Sequence, residues 1–239
     1  MKYSVILFDV GDTLIELSPN IADIYSERMV SMGIVVSDAQ KRSMGNQIET
    51  VSRAQIRNEV NGAPRMSDED FEMMLAKEML KFVCPTSTKE DIDRQLGHLI
   101  KTPLRKQELV LISNVIKVLS ELKERSYRLG IVSNHKKWLP DLLAKLGILR
   151  YFECIVVSEI VGYEKPDVRI MEIALNKLAV SAEDCLYVGD HPYDVYCAKK
   201  AKIDCVWIAP KEEELDIPDY QEDYRISTIV ELLDVLPNA

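Results

Sequence analysis

Short apolar segments alternate with amphipathic segments along most of the chain. Five segments are apolar on both faces, as strands inside a parallel sheet are: Val5–Phe8, Arg128–Val132, Cys154–Val157, Cys185–Val188 and Cys205–Ile208. Each of the last four follows a segment with apolar residues near the 3.6-residue helical period, namely Val110–Arg125, Leu139–Leu146, Val168–Leu178 and Val195–Ala201. This alternation predicts βαβ units and a parallel sheet, which is an α/β fold.

Residues 17–106 interrupt the alternation, because they contain no convincing strand. Ser37-Asp38 and Ser67-Asp68-Glu69 have the residue types of helix N-caps, and Asn61-Gly62-Ala63-Pro64 indicates a helix stop followed by a loop. These signals predict four helices, at about 19–32, 38–60, 68–83 and 88–101. We therefore predict a core formed by residues 1–16 and 107–239, with a helical domain inserted at 17–106.

The charge balance argues against two classes of binding partner. The 239 residues include 30 Lys and Arg against 39 Asp and Glu, which gives a formal net charge of −9. Such a chain repels a nucleic-acid backbone and an anionic membrane surface, so neither is expected as a partner. The early apolar run Val5–Phe8 ends at Asp9, far short of the ~20 residues that a bilayer span requires. We expect a cytoplasmic protein.

The cysteines support the same expectation. The five cysteines are an odd number, and they include no CxxC pair. The pattern therefore predicts neither a disulfide framework nor a zinc site. Small apolar thiols packed in a reducing compartment are the simpler interpretation.

Polar side chains follow several of the predicted strands. The segments in question are Asp9-Val10-Gly11-Asp12-Thr13, Ser133-Asn134-His135, Glu164-Lys165-Pro166-Asp167 and Gly189-Asp190-His191-Pro192-Tyr193-Asp194. In an open parallel sheet, ligands bind beyond the carboxyl ends of the strands, so these residues are expected at one edge. Carboxylates grouped there would attract Mg²⁺, which binds through one or two carboxylates together with phosphate oxygens.

These four segments resemble the four motifs of the haloacid dehalogenase (HAD) superfamily, and the resemblance covers nearly the whole chain. In FDVGDTL, Asp9 matches the nucleophile, and in IVSN, Ser133 would bind the phosphoryl group. In GYEKPD, Lys165 would balance negative charge, and in VGDHPYD, Asp190 would bind Mg²⁺ with support from Asp194. The resemblance implies a Rossmann-like parallel sheet core with an inserted α-helical cap.

The resemblance also implies a division of roles. Asp9, Ser133 and Lys165 would be catalytic, and Ser133, Asn134 and Lys165 would bind phosphate. Mg²⁺ would be held by Asp9, the backbone carbonyl of Gly11, Asp190 and Asp194. The helical segment 17–106 lies between the first two motifs, where the family places its helical cap, and residues 134–164 are too few for the large α/β cap of other members. A helical cap fits a small phosphorylated metabolite better than a macromolecule.

One position departs from the family pattern. Phosphatases of the family carry a second Asp two residues after the nucleophile, which protonates the leaving alcohol and then activates water. Here that position is Gly11, and Asp12 follows it. A shift by one residue turns the side chain away, so Asp12 is expected to stabilise a turn. His135 and His191 lie near the expected pocket, and either imidazole could replace the missing acid–base group; surface loop residues are the simpler interpretation.

Three functions are compatible with these residues. The leading hypothesis is a Mg²⁺-dependent phosphatase that acts on a small phosphomonoester through an aspartyl-phosphate. The segment SEIVGYEKPDVRIMEIAL resembles nucleotidase-like and phosphoglycolate-phosphatase-like members, which implies a nucleoside monophosphate, phosphorylated sugar or phosphorylated acid as substrate. A 2-haloacid dehalogenase also lacks the second Asp, but it replaces the fourth motif by a neutral pattern. A catalytically weak binding protein of the same fold is the third hypothesis.

Overall fold

A computed structural model describes residues 2–60, 63, 64, 66–101, 108–209, 215 and 220–236. The predicted helix stop at residues 61 and 62 and the predicted boundary between residues 106 and 107 lie outside them. Contacts divide the chain into two compact units, one formed by Met1–Glu16 with Val110–Ala239 and the other by Leu17–Leu109. Among the described helices, none combines the length and the apolarity of a membrane span.

The first unit contains a sheet of six parallel strands. The strands are β1 (Val5–Phe8), β4 (Arg128–Ser133), β5 (Cys154–Val157), β6 (Cys185–Gly189), β7 (Asp204–Ile208) and β8 (Tyr224–Ile226). Their order across the sheet is β5-β4-β1-β6-β7-β8, and every neighbouring pair is parallel. The predicted α/β fold is therefore confirmed, and all five predicted strands lie in this sheet.

Helices of the first unit lie between most of the successive strands of this sheet, and one more follows the last strand, β8. They are α5 (Val115–Glu124), α6 (Leu139–Lys145), α7 (Ser158–Val161), α8 (Arg169–Leu178), α9 (Pro192–Lys200) and α10 (Leu232–Val235). All four residues of β1 are fully buried, as expected for a central strand covered on both faces. Burying each such apolar side chain contributes about 1.5–3 kcal/mol of transfer free energy, which makes β1 a rigid support for the residues that follow it.

The register of the three central strands brings their carboxyl ends together. Phe8 at the end of β1 pairs with Ile131 of β4 on one side and with Val188 of β6 on the other. The residues that follow in each strand therefore emerge at the same edge. This edge carries Asp9, Ser133 and Asp190.

One predicted helix begins later than its apolar pattern indicated. The pattern predicted a helix over Val110–Arg125, but residues Glu108–Leu111 form β3, and α5 begins only at Val115. Asn114, the residue before α5, has a left-handed backbone with φ of 67°. Because a helix cannot continue through that conformation, the apolar residues on its two sides belong to different elements.

A two-stranded ribbon lies where the chain passes between its two units. It consists of β2 (Ile15–Ser18) and β3, which pair with each other outside the six-stranded sheet. The boundary between the units falls inside both strands, at Glu16–Leu17 and at Leu109–Val110. The sequence pattern did not predict either strand, because four residues at the edge of a ribbon carry too little apolar signal.

The second unit is built from the four helices that the sequence predicted. They are α1 (Ile21–Ser31), α2 (Asp38–Val60), α3 (Asp68–Val83) and α4 (Lys89–Lys101). Asn20 and Ser67 cap α1 and α3, since each side chain accepts a backbone N–H three residues on. Met29, Met44 and Met79 are fully buried in the apolar core between these helices.

The five cysteines are all free thiols, and four of them are buried. This agrees with the interpretation of the cysteines as small apolar core residues. Burial is the largest influence on the thiols of Cys185 and Cys197, and it raises the pKa of each to about 12. Thiols with such pKa values are unreactive at neutral pH.

Candidate active site

Asp9 is the first residue after the central strand β1, and it is buried against a lysine from another part of the chain. Its backbone N–H donates to the carbonyl of Val188 in β6, which extends the sheet by one residue. Its Oδ1 lies 2.6 Å from the Nζ of Lys165, and both side chains are largely buried. The fold therefore holds one carboxylate of the sheet edge in a fixed position next to a cation.

The loop that carries Lys165 is fastened to the end of β4 by Asn134. The Asn134 Oδ1 accepts the Lys165 backbone N–H at 2.7 Å, and its Nδ2 donates to the Lys165 carbonyl at 2.8 Å. The side chain of Asn134 is thus used to hold Lys165. Phosphate binding by Asn134 stays a prediction, and it would have to use the backbone N–H or the second amide proton.

Ser133 ends β4 at the same edge, and it is almost completely buried. Within the described part of the chain, its hydroxyl makes no hydrogen bond, whereas the side chain of the neighbouring Asn134 bonds twice to Lys165. A hydroxyl without a protein partner is available for a ligand oxygen. This position fits the predicted phosphoryl contact of Ser133.

Asp194 lies at the centre of the cluster and is completely buried. Its Oδ1 accepts from Lys165 Nζ at 2.6 Å and lies 3.0 Å from the hydroxyl of Tyr187. Its Oδ2 accepts the backbone N–H of His191 at 2.9 Å, as part of the capping box that starts α9. Because both oxygens are already used by the protein, we assign Asp194 first to holding Lys165 and α9; direct metal binding by Asp194 stays a prediction.

Gly189 makes room for Asp194. A Cβ at position 189 would lie 2.3 Å from Asp194 Oδ2, a distance that no real contact allows. We expect Gly189→Ala to lower the free energy of unfolding by about 1–3 kcal/mol, because an extra methyl group overpacks a rigid site. Chemical denaturation measures this change.

A matched control for that substitution lies in the helical unit. Gly97 is an exposed residue within α4, and a Cβ there would meet nothing within 4 Å. Gly97→Ala should raise stability by about 0.5–1 kcal/mol, since alanine favours helix. Equal effects of the two substitutions would contradict the steric argument for Gly189.

Asp190 is held by two residues that the sequence analysis did not assign to the site. The hydroxyl of Thr13 donates to Asp190 Oδ1 at 2.7 Å, and the indole N–H of Trp207 donates to the Asp190 carbonyl at 2.8 Å. Thr13 and Trp207 are both fully buried. FDVGDTL contained the first of them, but nothing in the local sequence of β7 indicated that Trp207 would reach this loop.

The three carboxylates form one cluster at the sheet edge. Asp9, Asp190 and Asp194 each offer an oxygen within 4.8 Å of the others, a grouping that could hold a metal ion. Burial, together with the charges of its neighbours, raises the pKa of Asp190 well above its ordinary value, and burial also raises the pKa of Asp9 despite the adjacent Lys165. Both carboxylates are therefore costly to ionise without a cation.

Lys165 alone does not neutralise this cluster. Burial on its own would lower the pKa of Lys165, but the carboxylates of Asp194 and Asp9 more than offset it and raise the pKa above its ordinary value. The ammonium is therefore charged at neutral pH. When all three carboxylates are ionised, they and the one ammonium carry a formal charge of −2, which a divalent cation would balance. The donor set, made of carboxylate oxygens, suits a hard cation.

The loop after Asp9 contains the position that departs from the family pattern. Gly11 is exposed, and a Cβ at this position would meet nothing within 4 Å. Asp12 is also exposed and has a left-handed backbone with φ of 51°. Its backbone N–H donates to the carbonyl of Ile15 at 2.8 Å, which fits the expected turn role.

The two histidines near the site each have a local structural partner. His135 Nδ1 accepts the backbone N–H of Lys136 at 2.8 Å, and its ring packs against Trp138 with ring centroids 4.6 Å apart. His191 Nδ1 accepts the backbone N–H of Tyr193 at 3.1 Å and caps α9. Both contacts support the interpretation as loop residues. Acid–base catalysis by either histidine stays a hypothesis.

The site consists of a buried Asp, a lysine and further carboxylates at the carboxyl edge of a parallel sheet. This arrangement is typical of a class of α/β enzyme cores that bind phosphate and metal ions at strand ends. Within that class, the sequence model described as "Haloacid dehalogenase-like hydrolase" matches residues 6–208. The chain therefore belongs to the haloacid dehalogenase-like hydrolase family. This confirms the family that the four motifs indicated.

Named relatives and a solved structure agree with this assignment. The chain is 25% identical over 239 residues to a phosphoglycolate phosphatase of Nitrosococcus oceani, a match that covers 98% of this chain and 97% of that protein. It is 32% identical over 130 residues to a glyceraldehyde 3-phosphate phosphatase of Methanocaldococcus jannaschii, which covers 52% of this chain and only 56% of that protein. The fold resembles a HAD phosphatase from Thermococcus onnurineus, with a TM-score of 0.58, 23% identity and 98% of both chains covered.

Proposed function

We propose that this protein is a Mg²⁺-dependent phosphatase that acts on a small phosphomonoester through an aspartyl-phosphate on Asp9. The observation that carries the proposal is the buried cluster in which Asp9 lies 2.6 Å from Lys165 and within 4.8 Å of two further carboxylates. The two relatives named as phosphatases support a phosphorylated metabolite as the substrate. Their names also make phosphorylated acids and sugars the first compounds to test.

The first chemical step transfers the phosphoryl group to Asp9. A carboxylate oxygen of Asp9 forms a bond to phosphorus while the bond from phosphorus to the ester oxygen breaks. The Ser133 hydroxyl would bind a phosphoryl oxygen, and the Lys165 ammonium, held 2.6 Å from Asp9, would stabilise the charge that develops on the phosphoryl group. In the second step, water attacks phosphorus, releases inorganic phosphate and restores the Asp9 carboxylate. The leaving alkoxide must take its proton from solvent or a histidine, because position 11 has no side chain to supply it.

Asp9, Asp190 and the backbone carbonyl of Gly11 are the groups that we propose to hold Mg²⁺. When bound, the cation would supply positive charge that screens the cluster and polarises the phosphoryl group. Thr13 and Trp207 orient Asp190 for this role through the contacts described above. Asp194 would support the site from behind by fixing Lys165.

The raised pKa values of Asp9 and Asp190 predict how Mg²⁺ binding depends on pH. Both lie above the ordinary value of 3.8 in the folded protein, so the folded state takes up protons at a higher pH than the unfolded chain. Protonation relieves the repulsion between the carboxylates, as Mg²⁺ binding would. Protons therefore compete with Mg²⁺ for the site. We expect the Mg²⁺-induced rise in Tm to shrink as the pH is lowered from neutral, because protonation of both carboxylates increases. A Mg²⁺ effect that is independent of pH would contradict this account.

A panel assay tests the proposed function. Phosphate release is measured from phosphoglycolate, glyceraldehyde 3-phosphate, sugar phosphates and nucleoside monophosphates, with Mg²⁺ and with EDTA. Turnover that requires Mg²⁺ is the expected result, with a ranking of substrates that identifies the leaving group. No release from any compound, together with a ligand-induced rise in Tm, would replace the proposal by a binding protein.

A second candidate function is 2-haloacid dehalogenation, because position 11 is Gly11 and not the second Asp of the phosphatases. Such an enzyme uses an Asp nucleophile and neither a metal nor the second Asp of the phosphatases. Asp190 and Asp194 argue against it, because two extra carboxylates next to Asp9 would only hinder a metal-free displacement. Release of halide from 2-chloropropionate in the presence of EDTA, without phosphate release from the panel, would favour this candidate.

The inserted helical segment 17–106 is proposed to act as the cap of the family, and the division into a core of 1–16 and 107–239 with that cap stays a prediction. Selection of a small metabolite would be its task. The cytoplasmic location also stays a prediction.

A further inference from the structure

Tyr187 places a hydroxyl in the interior of the sheet, next to Lys165. It lies in the middle of β6, where its neighbours Leu186 and Val188 are apolar and all three side chains are fully buried. The hydroxyl lies 2.9 Å from the carbonyl of Val132 and 3.0 Å from Asp194 Oδ1, which are the two acceptors available for its single proton. It also accepts from Lys165 Nζ at 3.0 Å.

This contact completes the surroundings of the Lys165 ammonium. A lysine ammonium has three N–H donors, and here the three partners are Asp9 Oδ1 at 2.6 Å, Asp194 Oδ1 at 2.6 Å and the hydroxyl of Tyr187 at 3.0 Å. Two of the partners are carboxylates that pull the ammonium toward themselves. The tyrosine is the neutral partner, and its ring is packed in the core of the sheet, so its oxygen cannot move with the ammonium.

We propose that Tyr187 is a positioning residue, whose hydroxyl fixes the direction of the Lys165 ammonium between Asp9 and Asp194. The inference rests on the proposed phosphatase function, because positioning matters only if Lys165 acts on a phosphoryl group. Tyr187 need not touch the substrate for this role. Its burial raises its pKa well above the ordinary value, so the hydroxyl keeps its proton at neutral pH.

Loss of the hydroxyl should affect the chemical step more than substrate binding. In Tyr187→Phe, one N–H of Lys165 has no acceptor in a region closed to water, and the ammonium moves toward the carboxylates. The Ser133 hydroxyl, and a Mg²⁺ held by Asp9 and Asp190, would still bind the phosphate group. Stabilisation of the charge that develops on the transferring phosphoryl group weakens, because that charge needs the ammonium at a fixed place.

The first test compares two tyrosine variants in steady-state assays with the best substrate of the panel. We expect Tyr187→Phe to lower kcat about 10-fold, as loss of a hydrogen bond to a charged group does, with KM changed less than about threefold. The matched control is Tyr3→Phe, since Tyr3 is also buried and donates to a carboxylate, Asp204, at 2.7 Å. Tyr3 lies before the amino end of β1, and its variant should keep kcat. An unchanged kcat in Tyr187→Phe, or a rise in KM alone, would overturn the inference.

The second test does not depend on turnover. Chemical denaturation of Tyr187→Phe, Lys165→Met and the double variant measures whether the hydroxyl and the ammonium are coupled. The two effects should be clearly non-additive, because the lost hydroxyl matters little once the ammonium is absent, whereas Tyr3→Phe and Lys165→Met should add. Additive effects for Tyr187 and Lys165 would overturn the inference even in an active enzyme. Wild-type protein without phosphatase turnover would instead overturn the proposed function, and the coupling would still decide whether the contact exists.

Discussion

Asp9→Asn should lower phosphomonoester turnover by about 10⁴-fold or more, because an amide oxygen is a poor nucleophile toward phosphorus. The substitution preserves the shape of the side chain, so the hydrogen bond from Lys165 and the packing against β1 remain possible. It also removes one of the three clustered carboxylates, so the variant should be at least as stable as the wild type without Mg²⁺. Phosphate release and thermal unfolding, measured on the same preparations, check both expectations.

A matched control for this variant is Asp12→Asn, which makes the same chemical change three residues away. Asn tolerates the left-handed backbone of position 12 as well as Asp does, and we expect turnover to change only a fewfold. Trapping adds a second readout: acid quench during turnover should leave a phosphoryl group on wild-type Asp9 and none on the Asn variant. Equal turnover of wild type and Asp9→Asn would exclude the aspartyl-phosphate mechanism.

Gly11→Asp should raise phosphomonoester turnover by about 100-fold, within the range that general acid–base catalysis contributes. The position is exposed, a Cβ there would meet nothing within 4 Å, and the backbone of Gly11 is not among those with positive φ. A side chain can therefore be added without strain. The new carboxyl would occupy the place of the second Asp of the family's phosphatases, where it protonates the leaving alcohol and then activates water.

The isosteric variant Gly11→Asn separates the chemistry from the shape. It has nearly the same volume, but it cannot donate and take back a proton, so its turnover should stay near that of the wild type. The gain should also be larger for substrates with poor leaving groups, because those need protonation most. Equal rates for the Asp and Asn variants would show that position 11 does not limit turnover, and a histidine would then become the candidate acid–base group.

The sequence predicted the strands whose own residues are apolar enough to require burial. Val5–Phe8 is apolar on both faces, and a segment of that kind has few alternatives to a central parallel strand. β3 and β8 were missed because they are short and only partly buried, so pairing with a distant segment decides their conformation. The late start of α5 has the same origin, since the left-handed turn at Asn114 is not visible in an apolar pattern.

The candidate site likewise contains residues that the sequence predicts and residues that it does not. Asp9 and Asp190 could be placed together from sequence, because parallel strands end at a common edge and the motifs give the order. The residues that hold Asp9 and Asp190 in place could not be predicted from the sequence. Tyr187 and Trp207 look like ordinary apolar core residues of a strand, and only the three-dimensional register shows that their polar atoms reach Lys165 and the Asp190 loop. Asn134 was expected to bind phosphate. Its side chain instead holds Lys165, which lies 31 positions away, so the local sequence does not show this contact.

The ribbon of β2 and β3 has a consequence for how such a protein can change over generations. The polypeptide leaves the sheet unit along one strand and returns along its hydrogen-bonded neighbour, so the two ends of the inserted helices start side by side. A recombination event could therefore exchange that whole insert for another of different length and leave the strand order of the sheet intact. Under the proposed function, in which the insert selects the substrate, substrate choice and bond-breaking chemistry would then evolve on separate stretches of the gene.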